Sequence, residues 1–562
     1  MRVLWLAAAL QCLELSAGLY FHHKARHASV VIGKTLYIDG GEIAQWDQTG
    51  NGFSNGSTVS NAEDPNTYYI DLSTSWTATN ATITSFPKNG PVLMSGALWS
   101  NTSERAFQYD GGISLAGALD PIPPNQLWAL TPTGQSRWSQ LSSAGNFSQL
   151  SRTQEGGYTS GNGLGFALGG YECVATIKDA ADYYTPGLVM YNMSSSLWYN
   201  ISTGGDYTVG TQGARTQLVT NFGTDGVGIL VVLAGFTQQE AGIGLDRVNM
   251  FDPVTQQWRI QRTTGSIPQP NRNPCLVGVP GDNGTYELFM YGGQQRATGG
   301  WISSDGAVYI LSLPAFHWFR VPGSAVGRTR HTCNIPSARS RQMISVGGIV
   351  MPGPLNSSDF TIENTGAPDP WANGLGVFDM TKLTWGSYVQ PSDDYTTPDV
   401  VKDYYKTNGL YPSSWDDAGT QQWFTVKVAT NSTSVANTST SATPSAQSIS
   451  QPAGISPGAI AGAVIGGIAL IAVTAVAIWL FVRRRKSTEQ QRNATFVSEL
   501  GTEHVSEMEA KVSRHVQHYG KPRLGDGQIH ELDHHRGMEL DGEPKLRDEQ
   551  IHELDHHRHE LG

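Results

Sequence analysis

The sequence is poor in charge. Only 15% of its 562 residues are Asp, Glu, Lys or Arg, and acids outnumber bases to leave a formal charge of −11. Without a basic surplus, nucleic acid is excluded as a main partner, because phosphate backbones are held by lysine and arginine. Cysteine is scarce as well. Cys12, Cys173, Cys275 and Cys333 are too few for a small disulfide-stapled scaffold. Histidine is nearly confined to one end: ahead of residue 483 there are only His22, His23, His27, His317 and His331. What is abundant is glycine, with 64 residues, and tryptophan, with 15. That balance fits an all-β protein with many tight turns and large aromatic side chains filling the space between sheets.

Two apolar runs stand apart from the rest. Met1-Arg2, the stretch Val3–Leu13 and the small residues up to Gly18 read as a signal peptide cut after Ala17, so residues 1–17 are expected to be removed. Residues 458–482 carry no charge and would rise about 37 Å as a helix, enough to cross a bilayer with some tilt. Arg483, Arg484, Arg485 and Lys486 follow at once, which places the N-terminal portion outside and residues 483–562 inside. The expectation is a single-pass type I protein of the plasma membrane. Asn-x-Ser/Thr sequons at Asn55, Asn80, Asn101, Asn146, Asn192, Asn200, Asn283, Asn356, Asn431 and Asn437 all precede the span, as a glycoprotein of that topology requires. Gly458, Gly462 and Gly466 share one helix face and would allow close helix pairing.

Between these runs the chain repeats. Six segments each carry a β-rich apolar run ending in a glycine pair or its equivalent, then a polar loop, a second β-rich run and a tryptophan. The glycines end at Gly41, Gly112, Gly170, Gly235, Gly293 and Gly348, and the tryptophans are Trp76, Trp138, Trp198, Trp258, Trp318 and Trp385. The run before each glycine pair is expected to line a central channel. The glycines are expected to allow positive φ where blades crowd, and the tryptophans to pack between neighbouring sheets.

This pattern, six times in series, resembles kelch repeats. The whole layout is similar to kelch-repeat membrane proteins of fungi. The resemblance implies an all-β, kelch-type β-propeller over residues 18–428, with six blades, or seven if one hides in Thr397–Trp423 or forms from both chain ends. Residues 429–457, rich in Ser, Thr, Ala and Pro, would be a stalk. Residues 483–562, with 10 of the 15 histidines, would be a disordered tail. Cys275 and Cys333 occupy matching places in adjacent repeats and are the expected disulfide. Three buried free thiols are the alternative.

The resemblance also raises a galactose-oxidase-like copper radical oxidase as a rival function. No motif here maps the family's two tyrosines, cysteine and two histidines onto this chain, so no cofactor and no catalytic or metal-ligating residue are expected. The better clue is a recurring arginine. Arg26, Arg152, Arg215, Arg272 and Arg330 each stand 14–20 residues ahead of a glycine pair. If equivalent, they would ring one mouth of the channel and hold carboxylates by paired hydrogen bonds. Loop carbonyls are the competing use of the same side chains. The reading is an extracellular binding module for an acidic peptide or glycan. A further reading takes the duplicated tail sequence, Gln528–Arg536 and Gln550–Arg558, as a docking peptide for a cytoplasmic partner.

Overall fold

The computed structural model describes residues 19–47, 58–59, 66–101, 105–113, 122–132, 137–142, 145–322, 325–351, 353–354 and 369–425. Chain through Ser434 forms one compact unit and Val435–Gly562 a second, which lies outside the described residues. The expected signal peptide, stalk, membrane span and tail therefore also lie outside them. Among the described residues no helix is long and apolar enough to cross a membrane.

Six sheets follow one another along the chain as blades 1 to 6, each with four antiparallel strands, and the fifth gains a short parallel strand, Thr264–Gly265, at its outer edge. Their first strands are Ala28–Ile32, Ala97–Asn101, Gly157–Gly161, Arg215–Val219, Cys275–Pro280 and Thr332–Asn334. Each first strand packs beside the first strands of the two neighbouring blades, and the sixth returns to the first, so the ring is closed. Closure removes the open sheet edges that an isolated blade would leave. The β-rich run ahead of each glycine pair is the second strand, pressed between the channel strand and the third. It is not the channel strand itself. In blades 4 and 5 it is buried along its whole length, as at Ile229–Leu233 and Tyr286–Tyr291, which explains its unbroken apolar character.

Each repeat tryptophan packs toward the preceding blade. Trp138 donates its indole N–H to Thr67 Oγ1 of blade 1 at 2.8 Å, and Trp318 donates to Leu245 O beside blade 4 at 3.1 Å. Trp76 stacks on Tyr388 of the last blade with ring centroids 5.0 Å apart, and the two residues exchange backbone hydrogen bonds. This contact joins the two ends of the ring.

The glycine pairs have a shared geometric duty. Both residues of every pair lie at positive φ, including Asp110-Gly111 in blade 2 and Ala234-Gly235 in blade 4. The equivalent pair in blade 2 is thus shifted by one from the Gly111-Gly112 of the sequence. The second residue of each pair donates its N–H to a carbonyl of the next blade: Leu93, Thr153, Thr211, Asn271, Arg328 and, closing the circle, Lys24, at 2.7–3.1 Å. A Cβ on Gly40 would meet Leu93 O at 1.9 Å, and one on Gly347 would meet Lys24 O at 2.1 Å. Only glycine lets the blades approach this closely there.

No seventh blade is formed among the described residues. Thr397–Trp423 carries two helices instead, α1 (Asp399–Asn408) and α2 (Ala418–Thr425). The segment clamps blades 4 and 5. Tyr405 shares a hydrogen bond with Ser312, Arg259 pairs with Asp417, and Trp423 and Phe424 join the cluster around Phe222, Phe316 and Trp318. Blade 1 is built entirely from Ala28 to Pro87, so the chain ends do not share a blade either.

Candidate functional site

The turn leading into each channel strand places one residue at positive φ: Arg26, Ser95, Glu155, Gly213, Asn273 and Arg330, with φ between 55° and 73°. These six residues form a second closed belt. Each donates its N–H to the carbonyl of its counterpart in the preceding blade, from Ser95 to Arg26 and on around to Arg26 to Arg330, at 2.6–3.3 Å. All of them except Gly213 line the same cavity.

The five arginines occupy four different places relative to this belt. Arg26 and Arg330 are on it, Arg272 precedes Asn273, Arg215 follows Gly213 by two, and Arg152 precedes Glu155 by three. The equivalence assumed from spacing therefore fails. Arg152 lies apart, donating to the Pro123 and Pro124 carbonyls at 2.7 and 3.0 Å. Arg215 donates to Pro274 O and Ala214 O, again backbone carbonyls. The other three gather around a carboxylate that sequence reasoning missed.

That carboxylate is Glu155. It is buried, and Arg330 lies 3.1 Å from its Oε1. Gln212 and Asn273 donate to its Oε2 at 2.6 and 3.0 Å. Burial alone would push its pKa up, but Arg330, Arg26 and Arg272 overturn this and pull it down to about 2. Arg26 also pairs with Glu42 at 3.1 Å. Arg272 donates to Gln212 Oε1 at 2.9 Å and sits over the Trp301 ring, 3.7 Å from its centre. Burial lowers Arg330 and Arg215 to about 10, so both stay charged at neutral pH.

Beneath the belt is a cavity of about 160 Å³. It is lined by Arg26, Arg215, Arg330 and Glu155, together with His27, His331 and the channel-strand residues. Desolvation, with help from Lys24, holds His27 down to about 3. Desolvation likewise depresses His331 well below the ordinary imidazole range, with Arg328 and Arg215 adding to it. Both imidazoles are neutral at pH 7, so the ionised lining residues are three guanidiniums against one carboxylate. Cavities of this size hold about five waters, or a carboxylate with a few.

The repeated Arg-His pairs have a packing reason. His27 and His331 each sit against the first glycine of the preceding blade. A Cβ on Gly347 would meet His27 Cε1 at 2.9 Å, and one on Gly292 would meet His331 Cε1 at 2.6 Å. His317 lies elsewhere, on the outer strand of blade 5, stacked on Tyr404 at 4.0 Å. Cys275 and Cys333 form a disulfide across the channel strands of blades 5 and 6, with Cα atoms 5.5 Å apart. Cys173 is free and buried, and Gln154 donates to its sulfur at 3.1 Å.

Loops after the glycine pairs rise around the same end of the channel. Tyr171 and Tyr184, both half-buried, pair with ring centroids 5.7 Å apart, and Tyr184 donates to Gln212 Oε1 at 2.5 Å. The aromatic pair thus belongs to the hydrogen-bonded shell of Glu155. Of the sequons, Asn80, Asn200 and Asn283 are exposed and Asn192 is half-buried. Asn55, Asn356, Asn431 and Asn437 lie outside the described residues, as do the side chains of Asn101 and Asn146.

No family model matches the chain. A curated protein of Arthroderma benhamiae, described as a "Kelch repeat-containing protein", is 26% identical over 404 residues, 64% of this chain and 55% of that protein. The chain therefore spans about half the length of this relative. A solved structure described as "Structure of YjhT" aligns with 65% of this chain and 97% of its own at 13% identity and a TM-score of 0.43. The kelch resemblance read from the repeats holds: the chain is a six-blade β-propeller with a curated kelch-repeat relative.

Proposed function

We propose, from the premise of a kelch-type propeller, that this protein is a binding module that receives a ligand carboxylate at the arginine-lined end of its channel. The observation that carries this reading is the charge of the cavity. Arg26, Arg215 and Arg330 line it with Glu155, and Glu42 pairs with Arg26, so guanidiniums still outnumber the carboxylates around this space. A buried charge surplus is costly unless an anion completes it. Guanidiniums suit a planar carboxylate, which they hold through paired N–H donors.

The half-buried Tyr171–Tyr184 pair at the same end favours a uronic-acid glycan, since an aromatic face can support a sugar ring beside the charged group. Residues 458–482 followed by Arg483–Lys486 support anchoring in a membrane with the propeller outside. In that setting the ligand would be wall or matrix material, and the duplicated tail sequence would meet its partner inside.

The test is an array of uronic-acid oligosaccharides, their methyl esters and acidic peptides, probed with the secreted propeller. Binding to the free acids and loss of binding to the esters supports the reading. Equal binding to acid and ester, or none to either acid class, refutes it.

A further inference from the structure

The disulfide lies beside a third donor. The sulfur atoms of Cys275 and Cys333 and a ring nitrogen of His331 all fall within 4.8 Å of one another. His331 is 2% exposed, and neither ring nitrogen makes a hydrogen bond of normal geometry. All three residues line the cavity. They come from two blades, with Cys275 on the channel strand of blade 5 and His331 and Cys333 at the start of that of blade 6. The ring of blades, not the bond alone, fixes their placement.

We propose that reduction of the Cys275–Cys333 bond creates a zinc-type metal site formed by the two thiolates and the His331 imidazole. A tetrahedral zinc ion, with bonds of about 2.3 Å to sulfur and about 2.0 Å to nitrogen, needs donors roughly 3.5–3.8 Å apart. The three donor atoms lie within 4.8 Å of one another, so shifts of about 1–2 Å bring them to that spacing. The two sulfurs must part by about 2 Å, which side-chain rotation on fixed strands can supply. A dithiol donates two electrons and two protons to the S–S bond and leaves as its own disulfide. Binding of the dication then releases the two thiol protons. The resulting two-thiolate unit is electrically neutral, so it tolerates the surrounding guanidiniums. Three protein donors leave the fourth position open to the cavity, as in sites where zinc holds an exchangeable ligand. The site is independent of the carboxylate-binding reading, since it uses neither Glu155 nor the arginines.

The experiment uses the chain ending at Ser434, which keeps the tail histidines out. This portion contains the closed ring, all its core clusters and the clamp, and so is a self-contained fold. The propeller is treated with a dithiol, freed of it, and titrated with Co²⁺ as the visible probe, with Zn²⁺ in competition. The expected result is one Co²⁺ per reduced chain, with tetrahedral ligand-field bands and thiolate charge transfer, displaced by Zn²⁺. The oxidised protein and a Cys275→Ser/Cys333→Ser variant should bind none, and reduced His331→Gln should bind at least tenfold more weakly. The proposal is overturned if the reduced protein binds no more Co²⁺ than the double serine variant. It is equally overturned if His331→Gln binds undiminished. Loss of native near-ultraviolet circular dichroism on reduction also counts against it, because the strands must hold their places without the bond.

Discussion

Replacing Glu155 with Gln tests the physics of the channel most sharply. The side chain keeps its shape but loses its charge, and its amide N–H₂ must face donors on either side, Arg330 at one position or Gln212 and Asn273 at the other. Arg26, Arg272 and Arg330 then lose the carboxylate they share. The pKa of Glu155 falls from 4.5 in an unperturbed chain to about 2 in the fold, a shift that corresponds to about 3 kcal/mol of preference for the ionised form. A depressed carboxylate contributes stability that is fully present above pH 4.5 and is lost as pH falls toward 2. The variant should therefore be less stable than wild type by about 3 kcal/mol at pH 7 and by only about 1 kcal/mol at pH 3. Urea unfolding followed by tryptophan fluorescence measures both, with the midpoint moving and the slope unchanged. Added acetate should restore part of the loss, because the freed guanidiniums offer it a site. A difference below 1 kcal/mol at pH 7, or one that is the same at pH 3, would refute the reasoning.

Other outcomes follow from the same geometry. His27 is held near 3, far below the usual 6.5, so the unfolded chain takes its proton first and stability falls as pH drops from 6.5 toward 3. By pH 5 this amounts to roughly 2 kcal/mol. A His27→Gln variant should show a shallower acid limb in urea unfolding, and parallel limbs would disprove the assignment. Gly347→Ala would place a Cβ 2.1 Å from Lys24 O at a φ of 59°, across the junction of the last and first blades. It should cost about 2–4 kcal/mol, whereas alanine in place of Gly33, which meets nothing within 4 Å, should cost only about 1 kcal/mol of backbone strain. Thermal denaturation of the pair separates clash from strain, and equal losses would contradict the ring-closure account.

Much of the architecture was legible because the constraint acts on residue type. A left-handed pair pressed against a carbonyl of the next blade selects glycine, and a gap between twisted sheets selects tryptophan, so both recur visibly. The belt around the channel was not legible. Arg26, Ser95, Glu155, Gly213, Asn273 and Arg330 share a backbone conformation and a hydrogen bond, not a side chain, and so leave no pattern in the sequence. The arginines misled for a related reason. Counting back from a glycine pair crosses the hairpin between the first two strands, which is Gly33-Lys34 in blade 1 but extends over Thr220–Gly228 in blade 4. Equal offsets therefore do not mean equal heights. Glu155 had no partner arginine nearby in sequence, since the three that surround it come from blades 1, 5 and 6. Thr397–Trp423 carries no glycine pair, the residue-type constraint that marks a blade, and it folds as helices.

The most direct test of carboxylate capture is Ser95→Glu. Ser95 lines the cavity and has the same φ of 55° as Glu155, so the belt already accommodates glutamate in that conformation. The substitution places a carboxylate beside the cavity's guanidiniums from within the chain. Calorimetric titration with an acidic oligosaccharide from the array should show binding to the wild-type propeller that weakens with salt, and at least tenfold weaker binding to the variant. The variant should also melt at or above the wild-type temperature. Unchanged affinity in a well-folded Ser95→Glu protein would contradict the account, because the ligand would then be held somewhere other than the arginine-lined cavity.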